Sequence, residues 1–318
     1  MLKRNIKRKL ITTSCALFAL LLLYLVPDKE NKLNIKENLE YDTPEITTNT
    51  IYLLDSYNYL GKTEIIINNK ETEKIIEELL NALITGGKLE NRIPNGFRSI
   101  LPSETKILSI NYENGLVKIN FSKELLDIDV SLEEKMIEAI IYTITSVENV
   151  DKIIIYVDGE ILSKLPKTGI TLPSTLDRNF GINKMYDFTK TDDINQVTIY
   201  YLNKNDDNSY YIPVTKYLND DREKIKIIID ELTSYNTYNT NLMSYLNSNT
   251  ELLAIEEQSN ILELTFNSYI FQSMSDKQIL EEVIYTISMS VKENYDVDEL
   301  VIKNEEEPIL STVLKELK

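Results

Sequence analysis

The residues able to do acid–base or nucleophilic chemistry form a restricted set here, because the 318-residue chain contains no histidine. That removes the usual triad base, the near-neutral proton shuttle and the commonest metal ligand together. The one cysteine, Cys15, lies in an apolar N-terminal stretch, so zinc sites of the Cys/His kinds are excluded for the rest of the chain. Carboxylates remain, and among 51 acidic residues some pairs fall within glycosidase distance by chance. Asp127 and Asp129 could face a cleft behind a predicted hairpin; the plainer reading is a solvated loop leading into a helix. Asp158-Gly159 offers a carboxylate to a cation, but an Asp-Gly turn accounts for the pair without one. Asp206-Asp207-Asn208 faintly resembles a calcium loop, yet it lacks the spaced ligands and terminal glutamate and reads as a polar hairpin loop. Gly86-Gly87 lacks the surroundings of a phosphate loop. Trp is absent, which disfavours a sugar-stacking platform, although 20 tyrosines can partly substitute. No catalytic, cofactor-binding or metal-binding residue is assigned, no cofactor is expected, and the chain reads as a non-enzyme.

The elements that would position these residues are organised around Lys106–Gly159. Leu108, Ile110 and Tyr112 alternate before Asn114-Gly115, and Val117, Ile119 and Phe121 alternate after it. Asn-Gly between two alternating runs predicts a hairpin with a type I′ turn, which needs positive φ at both central residues. Ser131 with Glu134 has the spacing of a capping box. Leu132, Met136, Ala139, Ile140, Thr143, Ile144 and Val147 then recur at helical spacing. Asp151–Gly159 closes the unit as a buried strand and turn. Upstream, Ile51–Leu54 and Thr63–Ile67 read as strands, and Glu71–Ile84 as an amphipathic helix stopped by Gly86-Gly87.

A second copy runs from Thr250 to Glu305. Leu252–Ile255 and Ile261–Asn267 match the hairpin, and Ser275 with Gln278 repeats the capping box. Val283–Ser288 echoes Ile140–Thr145 at a shift of 143, and Leu300–Ile302 echoes Ile153–Ile155 at a shift of 147. Thr198–Tyr201 and Asp221–Leu232 match the leading strand and helix. Order-preserving echoes of this kind indicate duplication. On the first of these alignments Tyr142 and Tyr285 occupy matching helix positions, as interface residues or, more plainly, as core aromatics with the hydroxyl at the rim. Each copy therefore reads β(β)αββαβ, an α/β (α+β) unit with both helices on one face of a sheet.

Ile100–Leu108, the hairpin ending in Asn120-Phe121-Ser122, Ile141–Thr145, Ile155–Gly159, Leu172–Arg178 and Gly181-Ile182-Asn183 resemble the GerMN domain, which occurs, often in tandem, in sporulation and germination proteins. The likeness covers roughly residues 50–310, more specifically in the first copy than in the second. The α-β-β-α-β core is also similar to the ring-building motif of sporulation-channel proteins. The family has no known catalytic residues to carry over. Arg178, in the family-like exit segment, reads as an ion-pair anchor or, less plainly, as an anion ligand.

Charge and hydropathy set the compartment. Lys3, Arg4, Lys7, Arg8 and Lys9 precede Leu10–Val26, 17 residues without charge, while the chain from Asp28 onward carries 29 basic and 51 acidic residues, a balance of −22. So acidic a body repels phosphate backbones, which argues against nucleic-acid binding. The basic flank predicts a cytoplasmic N-terminus and an exported body. Leu25-Val26-Pro27-Asp28 makes a poor cleavage site, and most of the apolar run follows Cys15 whereas a lipobox cysteine ends it. An uncleaved signal anchor is therefore expected over a cleaved or lipidated signal. The expected organisation is residues 1–27 as basic N-terminus and transmembrane anchor, 28–50 as flexible tether, 51–189 as the first GerMN-like domain and 190–318 as the second, divergent one. The resemblance implies an assembly protein in the mother-cell membrane around the forespore, its partners other sporulation membrane proteins and a ring-forming channel complex. A carboxylate enzyme of spore peptidoglycan and a germinant-binding module are the competing readings.

Overall fold

The structure is a computed structural model that describes residues 47–205, 208–234, 241–273, 275, 277–305 and 307–317. The expected span Leu10–Val26, Cys15 and nearly all of the tether lie outside these residues. Among the described residues no helix is long and apolar enough to cross a membrane.

Each copy builds a four-stranded sheet of the same order. In the first, β3 (Ile107–Glu113), β4 (Leu116–Phe121), β5 (Lys152–Val157) and β6 (Glu160–Ile161) lie side by side; in the second, β10 (Leu252–Gln258), β11 (Ile261–Phe266), β12 (Glu299–Asn304) and β13 (Glu307–Val313) do. Only the central pair of each sheet is parallel, because a helix crosses over between its strands: α2 (Glu133–Ile144) in the first copy and α4 (Glu281–Asn294) in the second. The hairpin turn is as expected, with Asn114 at φ 49° and Gly115 at φ 79°. The second copy makes the same turn without glycine, from Ser259 at φ 53° and Asn260 at φ 64°. Both copies end on one strand more than β(β)αββαβ provides; β6 is only two residues long and leaves almost no periodicity to read.

Both edge strands carry a bulge at the same place, between Ile107 and Ser109 and between Leu252 and Ala254. The extra residue turns Leu108 and Leu253 outward, 50% and 57% exposed. The simple alternation placed Leu108 on the inner face; the bulge gives that place to Ile107, which packs against the core.

The leading hairpins do something else. β1 (Thr48–Leu54) and β2 (Leu60–Ile66) of the first copy join β8 (Asn195–Asn205) and β9 (Asn208–Leu218) of the second in one five-stranded sheet. β8 occupies one edge of β9 along its whole length. The other edge is shared by β2, through Lys62 and Tyr211, and by β7 (Met185–Asp187), which pairs in parallel with Lys216–Leu218. The expectation of one sheet per copy is thus corrected: the first hairpin pairs across to the other copy. The division drawn at residues 189 and 190 falls between β7 and β8, both of which pair with β9.

α1 (Thr72–Leu83) buries Ile76, Leu79, Leu80 and Leu83, as its periodicity predicts; each such side chain contributes about 1.5–3 kcal/mol on burial. It ends one residue earlier than expected, where Ile84 turns extended and bridges to Leu101, so the strand-like contact rather than Gly86-Gly87 terminates it. α3 (Lys224–Ser234) buries Ile225, Ile227, Ile228, Ile229 and Leu232. Neither expected capping box forms. Ser131 instead donates both its N–H and its hydroxyl to Asp129, at 2.8 and 2.5 Å, and α2 starts two residues later; a local turn has outcompeted the cap. Ser275 lies near Ser273, their hydroxyls 2.8 Å apart, and α4 starts only at Glu281.

Candidate functional site

The face of the shared sheet that carries Tyr52, Lys62 and Tyr211 is assembled by register, since Lys62 stands opposite Tyr52 on one side and Tyr211 on the other. Cross-strand partners point to the same face of a pleated sheet. α2 and α4 cover this face. Tyr142 of α2 meets Tyr52 edge-on at 5.4 Å between ring centroids, and Tyr285 of α4 stacks on Tyr211 at 4.0 Å. Tyr52 and Tyr200, one from each copy, meet hydroxyl to hydroxyl at 3.2 Å.

The two copies support their outer strands alike. Thr143 Oγ1 accepts from the backbone N–H of Tyr52 at 3.1 Å, and Ser290 Oγ accepts from that of Tyr200 at 2.9 Å. These hydroxyls are 147 positions apart, the shift that also relates β5 to β12. Ser290 therefore stands where Thr143 stands, and Tyr285 stands one turn earlier, where Glu138 is. The matching of Tyr142 with Tyr285 at a shift of 143 is corrected accordingly. A slip of four residues is about one helical turn and preserves the apolar face, so pattern alone does not detect it. Tyr142 is a fully buried core residue whose hydroxyl donates to the Arg178 carbonyl at 3.1 Å, whereas Tyr285 is half-buried at the junction of the copies.

Arg178 is the hub. Its Nε donates to Thr145 Oγ1 at 3.0 Å, one terminal nitrogen to Ser146 Oγ at 2.8 Å and the Tyr142 carbonyl at 3.3 Å, and the other to Glu293 of the second copy. The guanidinium lies over the Tyr142 ring, 4.8 Å from its centroid. Glu293, its side chain 5% exposed, also accepts from the Tyr200 hydroxyl at 3.2 Å. Burial pushes the pKa of the Tyr142 and Tyr200 hydroxyls well above the ordinary range, so neither is a phenolate nucleophile or a base near neutrality.

Next to this hub opens a cleft of about 590 Å³, lined among others by Tyr52, Lys62, Arg178, Lys292, Glu293 and Lys315. Lys62 is 9% exposed. Its ammonium donates to the Tyr285 hydroxyl and lies 5.0 Å from that ring's centroid. Burial, with Lys292 and Arg178 adding to it, pushes its pKa down to about 8. Nothing in the sequence marked Lys62: it is one lysine in a strand, and only the pairing of the two hairpins brings it against α4.

The other singled-out residues are scattered. Asp127 caps a short 3-10 turn and Asp129 is held by Ser131, both exposed; Ser131's hydrogen bonds hold the Asp129 carboxyl below its ordinary range. Asp158 and Gly159 form the β5–β6 turn at φ 50° and 87°, where the Gly159 N–H donates to Asn120 Oδ1 at 3.0 Å. Asp206 and Asp207 lie outside the described residues, and Asn208 begins β9. Among the described residues no group of three or more His, Cys, Asp or Glu side chains is placed to hold a metal.

This arrangement is that of two small α/β repeats locked through a shared sheet, and comparison with known proteins agrees with it. The chain belongs to the Germane family, described as acting in sporulation and spore germination, whose model matches residues 50–163 and 198–309. It is 28% identical over 261 residues to the spore germination protein GerM of Bacillus subtilis strain 168, covering 80% of this chain and 70% of that one. The solved structure of the tandem GerMN domains of the Bacillus subtilis sporulation protein GerM is similar to it with a TM-score of 0.76 at 26% identity, over 82% of this chain and 92% of that one.

Proposed function

We propose that this protein is a non-enzymatic, membrane-anchored assembly protein of sporulation or spore germination, working outside the cytoplasm through protein–protein contacts. Leu10–Val26 is its anchor, and its body faces the space around the forespore. The observation that carries the reading is the shared sheet. It fixes the two repeats to each other, so that their bulged edge strands β3 and β10 present Leu108 and Leu253 to solvent in a constant relation. A rigid pair of presented edges suits a scaffold; a catalyst needs a constellation of reactive groups, and the conspicuous polar cluster, around Arg178, is spent on holding the repeats together. Exposed apolar side chains on sheet edges are a common basis of interfaces.

The test separates anchor from body. Leu10–Val26 is exchanged for an unrelated transmembrane helix in one strain, and Leu108→Lys with Leu253→Lys is introduced in another. The expected result is normal sporulation in the first and reduced yield of heat-resistant spores in the second, with the variant protein as abundant as wild type. Loss of function on anchor exchange with harmless leucine changes overturns the reading.

A further inference from the structure

We infer that the cleft between the two repeats binds a small oxyanion ligand, a compound presenting doubly charged carboxylate, phosphate or sulfate oxygens, between Lys62 and Lys292. The inference stands independently of the assembly reading.

The first observation is a local inversion of charge. The body carries −22, yet the cleft gathers Lys62, Arg178, Lys292 and Lys315 against Glu148, Asp151 and Glu293. Arg178 is occupied by Glu293, and Lys315 by Asp298 at 2.5 Å. Lys62 and Lys292 make no ion pair among the described residues; Lys292 donates to the Leu317 carbonyl at 2.7 Å.

The second observation is the position of Lys62. A buried ammonium ordinarily sits against a carboxylate, because desolvation of an uncompensated charge costs several kcal/mol. The groups facing Lys62 from every packed element are Tyr52 of β1, Glu64 of its own strand, Tyr211 of β9, Tyr285, Lys292 and Glu293 of α4, and Arg178. Burial is the largest influence on its proton affinity, and the two nearby cations lower it further. Among the described residues the three donors of the ammonium meet one acceptor, the Tyr285 hydroxyl. An oxyanion in the cleft supplies the missing acceptors and offsets the repulsion between Lys62 and Lys292. A volume near 590 Å³ admits a small molecule. The carboxylates on the rim, Glu148 and Asp151, disfavour extended polyanions.

The experiment titrates the full chain with sulfate, which stays doubly charged from pH 7 to 9, replacing chloride at constant ionic strength and reading binding by calorimetry; malonate in parallel distinguishes a tetrahedral from a dicarboxylate ligand. Saturable binding of either anion is expected. It should weaken at least tenfold, about 1.4 kcal/mol, in Lys62→Met, and weaken in Lys292→Met. It should remain in Lys118→Met, on the exposed face of β4. Wild-type affinity should fall as pH rises through 8, and Lys62→Arg should abolish that fall because guanidinium stays charged. Absence of saturable binding of both anions, or binding that survives in Lys62→Met and keeps its pH dependence in Lys62→Arg, overturns the inference.

Discussion

Arg178 of the first repeat donates to the Glu293 carboxylate of the second, 115 positions away in sequence. The pair is asymmetric, since the Arg178 side chain is 28% exposed and that of Glu293 only 5%. Removing the arginine leaves Glu293, among the described residues, with the Tyr200 hydroxyl as its side-chain hydrogen-bond partner. Stranding a buried charge costs about 3–5 kcal/mol, somewhat less where water reaches one partner. Arg178→Ala is therefore expected to lower stability by roughly 2–4 kcal/mol in urea unfolding. The double variant with Glu293→Gln should lose less than the sum of the two single changes, by about 0.5–3 kcal/mol of coupling. Strict additivity would show that the two side chains do not hold the repeats together.

Asn183 predicts a larger loss for a smaller side chain. It occupies the point on the outer edge of β9 where β2 has ended and β7 has not begun. Its Oδ1 accepts from the Leu60 N–H at 2.9 Å, and its Nδ2 donates to the carbonyls of Leu60 at 2.9 Å and Pro213 at 2.8 Å. Pro213 has no N–H to offer a neighbouring strand, so a side-chain amide completes the sheet where a strand cannot. Asn183 also sits at φ 48°, a region asparagine tolerates better than most residues. Asn183→Ala is expected to cost about 3 kcal/mol or more, from stranded backbone groups and backbone strain. Asn183→Gly should recover only the strain. Asn183→Asp should also be poor, because a carboxylate cannot donate to two carbonyls. Equal stability of the alanine and glycine variants would remove strain from this account.

Much of each repeat was legible because it rests on local rules. Asn114-Gly115 names its turn, the α1 stripe names its face, and the parallel β4–β5 pair follows from a helix between two strands. What pairs with what between the repeats was not legible. β1 and β8 each form one strand of a hairpin, and nothing in either pattern says that β2 reaches Tyr211 more than a hundred residues on. Lys62 and Glu293 are for the same reason anonymous in sequence. Arg178 is visible through its family-like surroundings as an ion-pair anchor, but its partner is not. The first capping box gave way because Asp129, two residues before Ser131, takes both the N–H and the hydroxyl of Ser131 into a local turn ahead of the helix.

The paired hydroxyls of Thr143 and Ser290 predict parallel effects in the two repeats. Each accepts the N–H of a buried strand residue, Tyr52 or Tyr200. Thr143→Val keeps shape and removes the acceptor, leaving a buried N–H unpaired at a cost of about 1–3 kcal/mol. Ser290→Ala should cost a similar amount. Hydrogen exchange should show the amides of Tyr52 and Tyr200, respectively, less protected in each variant. If Ser288, also fully buried, proves the sensitive position in α4 while Ser290 does not, the shift of 147 is wrong.

Glu138 gives the pH dependence a testable sign. It is 2% exposed on α2, its Oε2 accepts the Asn183 N–H at 2.8 Å, and Lys184 lies 4.0 Å from its other oxygen. Burial raises its pKa to about 7, with Lys184 opposing the rise. The unfolded chain releases this proton near the ordinary glutamate value, about 4.3. Between those two values the folded state holds more protons than the unfolded one, so this group's contribution to stability falls as pH rises and levels off above about 7. Other groups run the opposite way: the carboxyls of Asp129 and Asp220 are held below their ordinary range by hydrogen bonds, so they add stability as pH rises from the acid side. The wild-type curve alone therefore does not isolate Glu138. The difference between wild type and Glu138→Gln does. Glutamine mimics the protonated acid, keeps an acceptor for Asn183, and does not titrate. The variant should be close to wild type near pH 4.5 and more stable than it near pH 7.5, by up to roughly 3–4 kcal/mol at about 1.4 kcal/mol per pKa unit. Lys184 keeps its 2.7 Å bond to Glu134 in either case, so its own charge is not stranded by the change. A constant difference between the two proteins from pH 4.5 to 7.5, by urea unfolding at matched ionic strength, would show that Glu138 does not titrate in this window.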